Sequence, residues 1–439
     1  MKIIQSALLL AFAALISLPL TGCGSSSTQT IPLTETIFYA HTFLPGNNGT
    51  LLASGYNAYG QLGDGSLNGS SSFHQVTTAT GMTTVSGYSA GANHSLAFRN
   101  YTVWSWGCNF NGRLGVGDNP PTTGISAFSP TPHSLVINQT ILDQTPVTGV
   151  AAGWVHSLAL AAPTGTSQGS VWAWGDNSYG ELGINNLAIA SSSTPVRVQV
   201  MDPNTNTAVN FTGVKKVVAG GGHSLALKTD GTVWGWGYGR YGQTGKADGS
   251  NVAIPTQIAF PSGTTVTDIA AAGSYSLAVV DDANAGVTGE VYAWGFNGYG
   301  QLGNSHTSTT ANATPTLVVD AAGNPLTGVT KISAGTMFVL ALTDHGVYAW
   351  GYNLKGQLGT GTNELNITYA VPAKTINAIA DTKGFPGVTD ILAVGDSSLA
   401  KVAGTWYGWG DYGWGQLGLP VPNNAVAYLL EPMAIPMPQ

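Results

Sequence analysis

Three kinds of residue in this chain are spaced in ways that could do chemistry. Gly237, Gly239 and Gly242 within WGWGYGRYGQTG (234–245) spell GxGxxG after an apolar run that reads as a strand. That pattern can cradle a dinucleotide pyrophosphate. His94, His156 and His223 each open an HSL triplet, a set that could ligate a metal or activate the adjacent serine. Cys23 follows an apolar N-terminal run and could carry a lipid.

The glycine signal loses its specificity once composition is considered. With 60 glycines in 439 residues, chance supplies about one GxGxxG match. The chain has four, beginning at Gly237, Gly298, Gly408 and Gly413, so the excess points to repetition. A dinucleotide loop must also lead from a strand into a helix whose N-terminus binds phosphate. Here Gly245 is followed by KADGSNVAIPTQ, a turn-rich run leading to another strand.

The opening stretch is one of seven related segments. ASGYNAYGQLG, WSWGCNFNGRLG, WAWGDNSYGELG, WGWGYGRYGQTG, YAWGFNGYGQLG, YAWGYNLKGQLG and YGWGDYGWGQLG end at Gly63, Gly115, Gly183, Gly245, Gly303, Gly359 and Gly418. Before each lies a strand-like run such as SAGANHSLAF or AAGWVHSLAL, weakest in FYAHTFLPG (38–46). After each comes a β-rich run, usually holding a proline, such as TPVRVQV or IPTQIAF. No stretch after residue 34 shows helical periodicity.

Strands such as Val291-Tyr292-Ala293-Trp294 are apolar on both faces, which suits blades stacked around an axis. The expected fold is all-β, a seven-bladed β-propeller over 35–439, with an open β solenoid as the alternative. TIFYAHTFL near the start and AYLLEPMAIP at the end are expected to close the ring, completing one blade between them. The unit AGxxHSLAL…G.VWAWGxNxxGQLG…P…V resembles the RCC1 (regulator of chromosome condensation) repeat. That resemblance covers about 35–436 and independently implies a seven-bladed propeller that binds other proteins.

Within the motif, three invariant glycines read as backbone positions in a tight turn. Six copies keep the tryptophan at the Trp294 position and six keep the leucine at the Leu302 position, as expected of core between blades. The histidine position is filled by Tyr275, Phe338 and Ser397 in later copies, so packing or a hydrogen bond fits better than ligation. Each HSL serine neighbours its histidine on a strand, and the two point to opposite faces. A Ser–His pair within one copy is thereby excluded. Asp281-Asp282 and MDPNTNT (201–207) read as solvated turns, so no metal and no cofactor are expected. Positions where copies diverge are the candidate partner contacts: Phe110, Tyr179, Arg240, Tyr241, Tyr412 and Trp414.

Charged residues are 8% of the chain against a 43% hydrophobic content, which supports a large core with a Ser/Thr/Asn surface. A net charge of −7 without a basic stripe excludes nucleic acid as a partner. MKIIQSALLLAFAALISLPLTGC reads as a signal peptide (1–22), and Leu20-Thr21-Gly22-Cys23 resembles the bacterial lipobox. Cys23 is then the lipid attachment site, 23–34 a flexible tether, and Gly24 weakly favours the outer membrane or cell surface. Cys108 is expected to lack a disulfide partner in such a chain. The expected function is a non-enzymatic, lipid-anchored, monomeric scaffold for a protein partner. The alternatives are a guanine-nucleotide exchange factor, as the family namesake implies, or an extracytoplasmic glycan binder or enzyme. An exchange wedge could lie only in 118–148 or 184–213.

Overall fold

The computed structural model describes residues 40–46, 49–77, 82, 84–117, 127–135, 145–162, 169–373, 387–422 and 427–438. Every described sheet is antiparallel between chain neighbours, and seven of them are blades. Blades 1 to 7 span 41–75, 87–134, 147–197, 214–258, 264–317, 329–372 and 388–434. Blade 5 is representative. Its inner strand Thr264–Ala272 pairs with Tyr275–Asp282, then with Val287–Gly295, and finally with the short outer strand Thr316–Leu317.

The core follows directly from strands that are apolar on both faces. Seven hydrophobic clusters lie in the seams, six between successive blades and one joining blade 7 to blade 1. In that closing cluster Leu44, Leu52 and Phe73 of blade 1 pack on Leu399, Trp406, Leu417 and Ile435. The ring is therefore closed, and the solenoid alternative falls. Closure by the chain's two ends holds, but its expected form needs correction. Among the described residues no sheet mixes strands from both ends. Tyr428–Ala434 completes blade 7 and His41–Pro45 pairs within blade 1. Side-chain packing suffices because each blade already presents an apolar face to its neighbour.

In six blades the strand that ends in the motif slips register against the outer strand at the residue before the first motif glycine. Five of these residues are the repeated tryptophans Trp106, Trp174, Trp236, Trp350 and Trp409; in blade 1 it is Ser54. A bulge re-aims a side chain without breaking the sheet. All six motif tryptophans, Trp294 included, are fully buried. Outside the blades, 184–213 contributes a hairpin in which Gln199–Met201 pairs with Ala208–Asn210.

Candidate functional site

Third strands end, and outer strands begin, on one rim of the propeller, and the turns joining inner to second strands share that rim. The motif turn is built there by its own residues. Asn297 Oδ1 accepts from the Leu302 N–H at 3.0 Å, while its Nδ2 donates to the His306 carbonyl at 2.9 Å. Asn57, Asn177 and Asn353 do the same work in blades 1, 3 and 6. In the fourth copy Gly237 has φ +95°, and a Cβ there would lie 2.6 Å from the Gly222 carbonyl oxygen. A strand, Val252–Ile258, follows rather than a helix. The GxGxxG glycines therefore serve chain approach, and the nucleotide reading ends.

The histidines find a use that only the ring supplies. His41, His94, His156 and His223 each bring Nε2 within 2.8–2.9 Å of the serine Oγ of the next blade: Ser95, Ser157, Ser224 and Ser276. Those serines donate onward to the carbonyls of Gln61, Arg113, Glu181 and Gln243. A serine whose proton is given to a carbonyl accepts from the histidine, which fixes the Nε2–H tautomer. It is not an activated nucleophile. The same carbonyls accept the indole N–H of Trp106, Trp174, Trp236 and Trp294 at 2.8–2.9 Å. Tyr275 instead spans the next seam, donating to the carbonyls of Gly335 and Phe338. The pairing excluded within one copy thus forms between copies. His41 joins the set, a residue the weak first repeat concealed.

Burial holds His41, His156 and His223 down at about 3 and His94 well below its ordinary range. These four are neutral when folded but take up protons once unfolded below about pH 6.5. Their stabilising contribution is thus complete above 6.5 and lost as the pH falls toward 3. His156→Phe copies the residue that blade 6 carries at this position, Phe338. It is expected to flatten the acid limb of stability by one proton, about 1.4 kcal/mol per pH unit below 6.5. Urea unfolding at pH 5 and pH 7 measures this, and an unchanged slope would contradict it.

A second seam contact explains most of the divergent motif positions. The residue before the middle motif glycine meets the residue after the first motif glycine of the next blade. Tyr179 meets Tyr238 at 5.0 Å, Tyr241 meets Phe296 at 4.9 Å, and Tyr299 meets Tyr352 at 5.0 Å between ring centroids. Polar seams use the same places, with Asn111 donating to Asp176 at 2.5 Å and Lys355 to Asp411 at 3.0 Å. Across the closing seam Trp414 meets Tyr56 at 5.1 Å. These positions vary in pairs because each must match its neighbour.

The candidate contacts accordingly divide. Tyr241 is 3% exposed inside an aromatic cluster with Tyr238 and Phe296, which corrects its reading as a surface contact. Tyr179 is half-buried against that cluster, and Tyr412 packs on the closing core. Phe110, half-buried in a short 3-10 turn, and Arg240, exposed, occupy the outward tip of their turns. Trp414 is 46% exposed. Cys23, the signal peptide and the tether lie outside the described residues. Cys108 is buried.

Two charged residues went unremarked in the sequence, although their signal was present. Arg113 and Glu181 stand where five other copies have glutamine. Arg113 Nη1 donates to the Trp154 carbonyl at 2.8 Å. Glu181 Oε2 accepts from the Tyr179 N–H at 2.8 Å, as Gln243 Oε1 does from Tyr241, but its Oε1 is buried without a hydrogen bond. Burial, with Asp176 nearby, pushes its carboxyl up to about 8.

A closed seven-bladed β-propeller, repeating one glycine-rich unit and tied at its seams by histidine, serine and indole bonds, defines the class of protein. The chain belongs to the RCC1-like domain family, whose model matches residues 51–436. It is 31% identical over 311 residues to the ultraviolet-B receptor UVR8 of Arabidopsis thaliana, covering 69% of this chain and 61% of UVR8. It is 30% identical over 348 residues to the E3 ubiquitin-protein ligase HERC2 of Homo sapiens, covering 76% of this chain but 6% of HERC2. The chain therefore spans less than two thirds of either relative. Among solved structures, human WBSCR16 superposes with a TM-score of 0.69 at 24% identity, covering 88% of this chain and 94% of that one. Prp20p from Saccharomyces cerevisiae, described with its binding to Gsp1p and histones, gives 0.67 at 22% identity, covering 88% and 86%. Both show the same fold.

Proposed function

We propose that this chain is a non-enzymatic, lipid-anchored envelope protein whose motif-turn rim docks a partner protein. The observation that carries this reading is where the exposed apolar surface lies. Of nine exposed large hydrophobic side chains among the described residues, six are on that rim: Leu67, Leu187, Ile189, Leu365, Trp414 and Val421. Such clustering marks an interaction surface, whereas single exposed apolar residues need no explanation. Arg240 and Phe110 add tips of the kind that anchor protein interfaces. That Prp20p binds proteins supports the same use of this fold.

The anchor rests on Leu20-Thr21-Gly22-Cys23 behind an apolar leader. Mass spectrometry of the mature N-terminal peptide is expected to find Cys23 acylated, and an unacylated Cys23 overturns the anchor. Cross-linking mass spectrometry on intact cells tests the scaffold. Partner cross-links are expected on the motif-turn rim, and their absence from it would overturn this assignment of the face.

A further inference from the structure

Two sectors of the motif-turn rim differ in chemistry. Blades 6, 7 and 1 are consecutive around the closing seam. Their motif turns and following loops carry Leu365, Trp414, Val421 and Leu67, each between 38% and 46% exposed. Trp414 stands edge-on to Tyr56, and Tyr56 to Tyr59 at 6.2 Å, so partly exposed aromatic rings bridge the seam. The corresponding loops of blades 4 and 5, residues 246–251 and 304–312, expose no large apolar side chain. They carry Lys246 and Asp248, with Arg240 on the adjoining turn.

Charge divides along the same line. In the motif turns and loops of blades 6, 7 and 1, residues 352–365, 411–427 and 56–69, the carboxylates are Glu364, Asp411 and Asp64. Lys355 is the one lysine or arginine there, and its ammonium is taken up by Asp411 at 3.0 Å. Glu364 is exposed. This sector is apolar, aromatic and anionic, and its cation is already matched.

We propose that this sector binds a partner segment that is both basic and apolar, with lysine or arginine beside leucine-type side chains. Apolar groups of such a segment cover Trp414, Leu365, Val421 and Leu67, while its cations meet the exposed Glu364 and the ring faces of the aromatic seam. The same negative charge disfavours an anionic lipid surface, which would be repelled. The proposal rests on the scaffold reading and gives that reading a partner chemistry.

The probe is a fluorescein-labelled amphipathic peptide of leucine and lysine, compared with its leucine–glutamate counterpart by anisotropy on the mature protein. The lysine peptide is expected to bind on the order of tenfold more tightly, and to weaken as salt rises. Trp414→Ser and Glu364→Gln are each expected to weaken it several-fold with the folded circular dichroism spectrum retained, while Asp248→Asn in the polar sector leaves it unchanged. Equal binding of the two peptides, or no effect of Trp414→Ser and Glu364→Gln, overturns the proposal. So does matching binding to phosphatidylglycerol vesicles that the same two substitutions abolish. If cross-linking finds a partner on blades 4 and 5 instead, this assignment fails while the scaffold reading stands.

Discussion

Trp294→Ala is expected to destabilise the protein by about 3–5 kcal/mol, the cost of truncating a fully buried aromatic in a core that cannot collapse around it. Trp294 is 0% exposed in the seam of blades 4 and 5, edge-on to Phe260 at 5.7 Å. Its indole also donates to the Gln243 carbonyl at 2.9 Å. That carbonyl keeps the Ser276 hydroxyl, so packing rather than an orphaned acceptor carries most of the loss. Blade 1 shows what compensation requires. There Ser54 replaces the tryptophan and donates to the Gly415 carbonyl at 2.7 Å. Phe73 enters the seam from the outer strand, so close that a Cβ on Gly418 would lie 2.5 Å from its ring. Blade 5 has only Thr316–Leu317 as its outer strand and offers no such substitute. Denaturant unfolding measures the loss, and hydrogen exchange should place the new opening in blades 4 and 5. A loss below about 1 kcal/mol would refute the seam account.

Glu181→Gln is expected to stabilise the protein, by on the order of 2 kcal/mol at pH 7 and by more at higher pH. The carboxyl stands near 8 in the fold against an ordinary value of 4.5, so folding retains its proton. A group raised in this way contributes stability that is fully present below 4.5 and lost as the pH rises through 8. Glutamine keeps the bond from the Tyr179 N–H and has no charge to lose. Four sibling glutamines already tolerate a buried Nε2 without a hydrogen bond: Gln61, Gln243, Gln301 and Gln357. Wild type and variant should therefore agree near pH 4.5 and diverge steadily to pH 8. Parallel pH–stability curves, or a loss at pH 7, would show that Glu181 is ionised and matched in the fold. With four histidines pulling the other way below 6.5, wild-type stability should peak close to that pH.

The sequence was most informative where it repeats. Seven copies of one unit, with strands apolar on both faces, determine a ring of blades because each copy must bury two faces and can do so only against its neighbours. The invariant motif glycines and the tryptophans of six copies were legible for the same reason: a residue that recurs from copy to copy of one chain serves the unit. The anchor signal at Cys23 is likewise a property of the linear chain, and it stays a matter for the N-terminal peptide.

What only the tertiary structure decided are the relations between copies. No spacing within one repeat shows that His94 reaches Ser157, because the two are brought together by rotation about the propeller axis. Nor could divergence alone reveal that Tyr241 turns inward onto Phe296 whereas Trp414 stays half exposed beside Tyr56. Both occupy the same place in the motif, and their surroundings are set by the next blade. The closing seam is where the regular pattern is broken by Ser54, Tyr412 and Trp414, and it is also where apolar and anionic surface gather. Local sequence thus dictates the blade, whereas the pairing of neighbours around the ring decides which side chains face water and are free to meet another molecule.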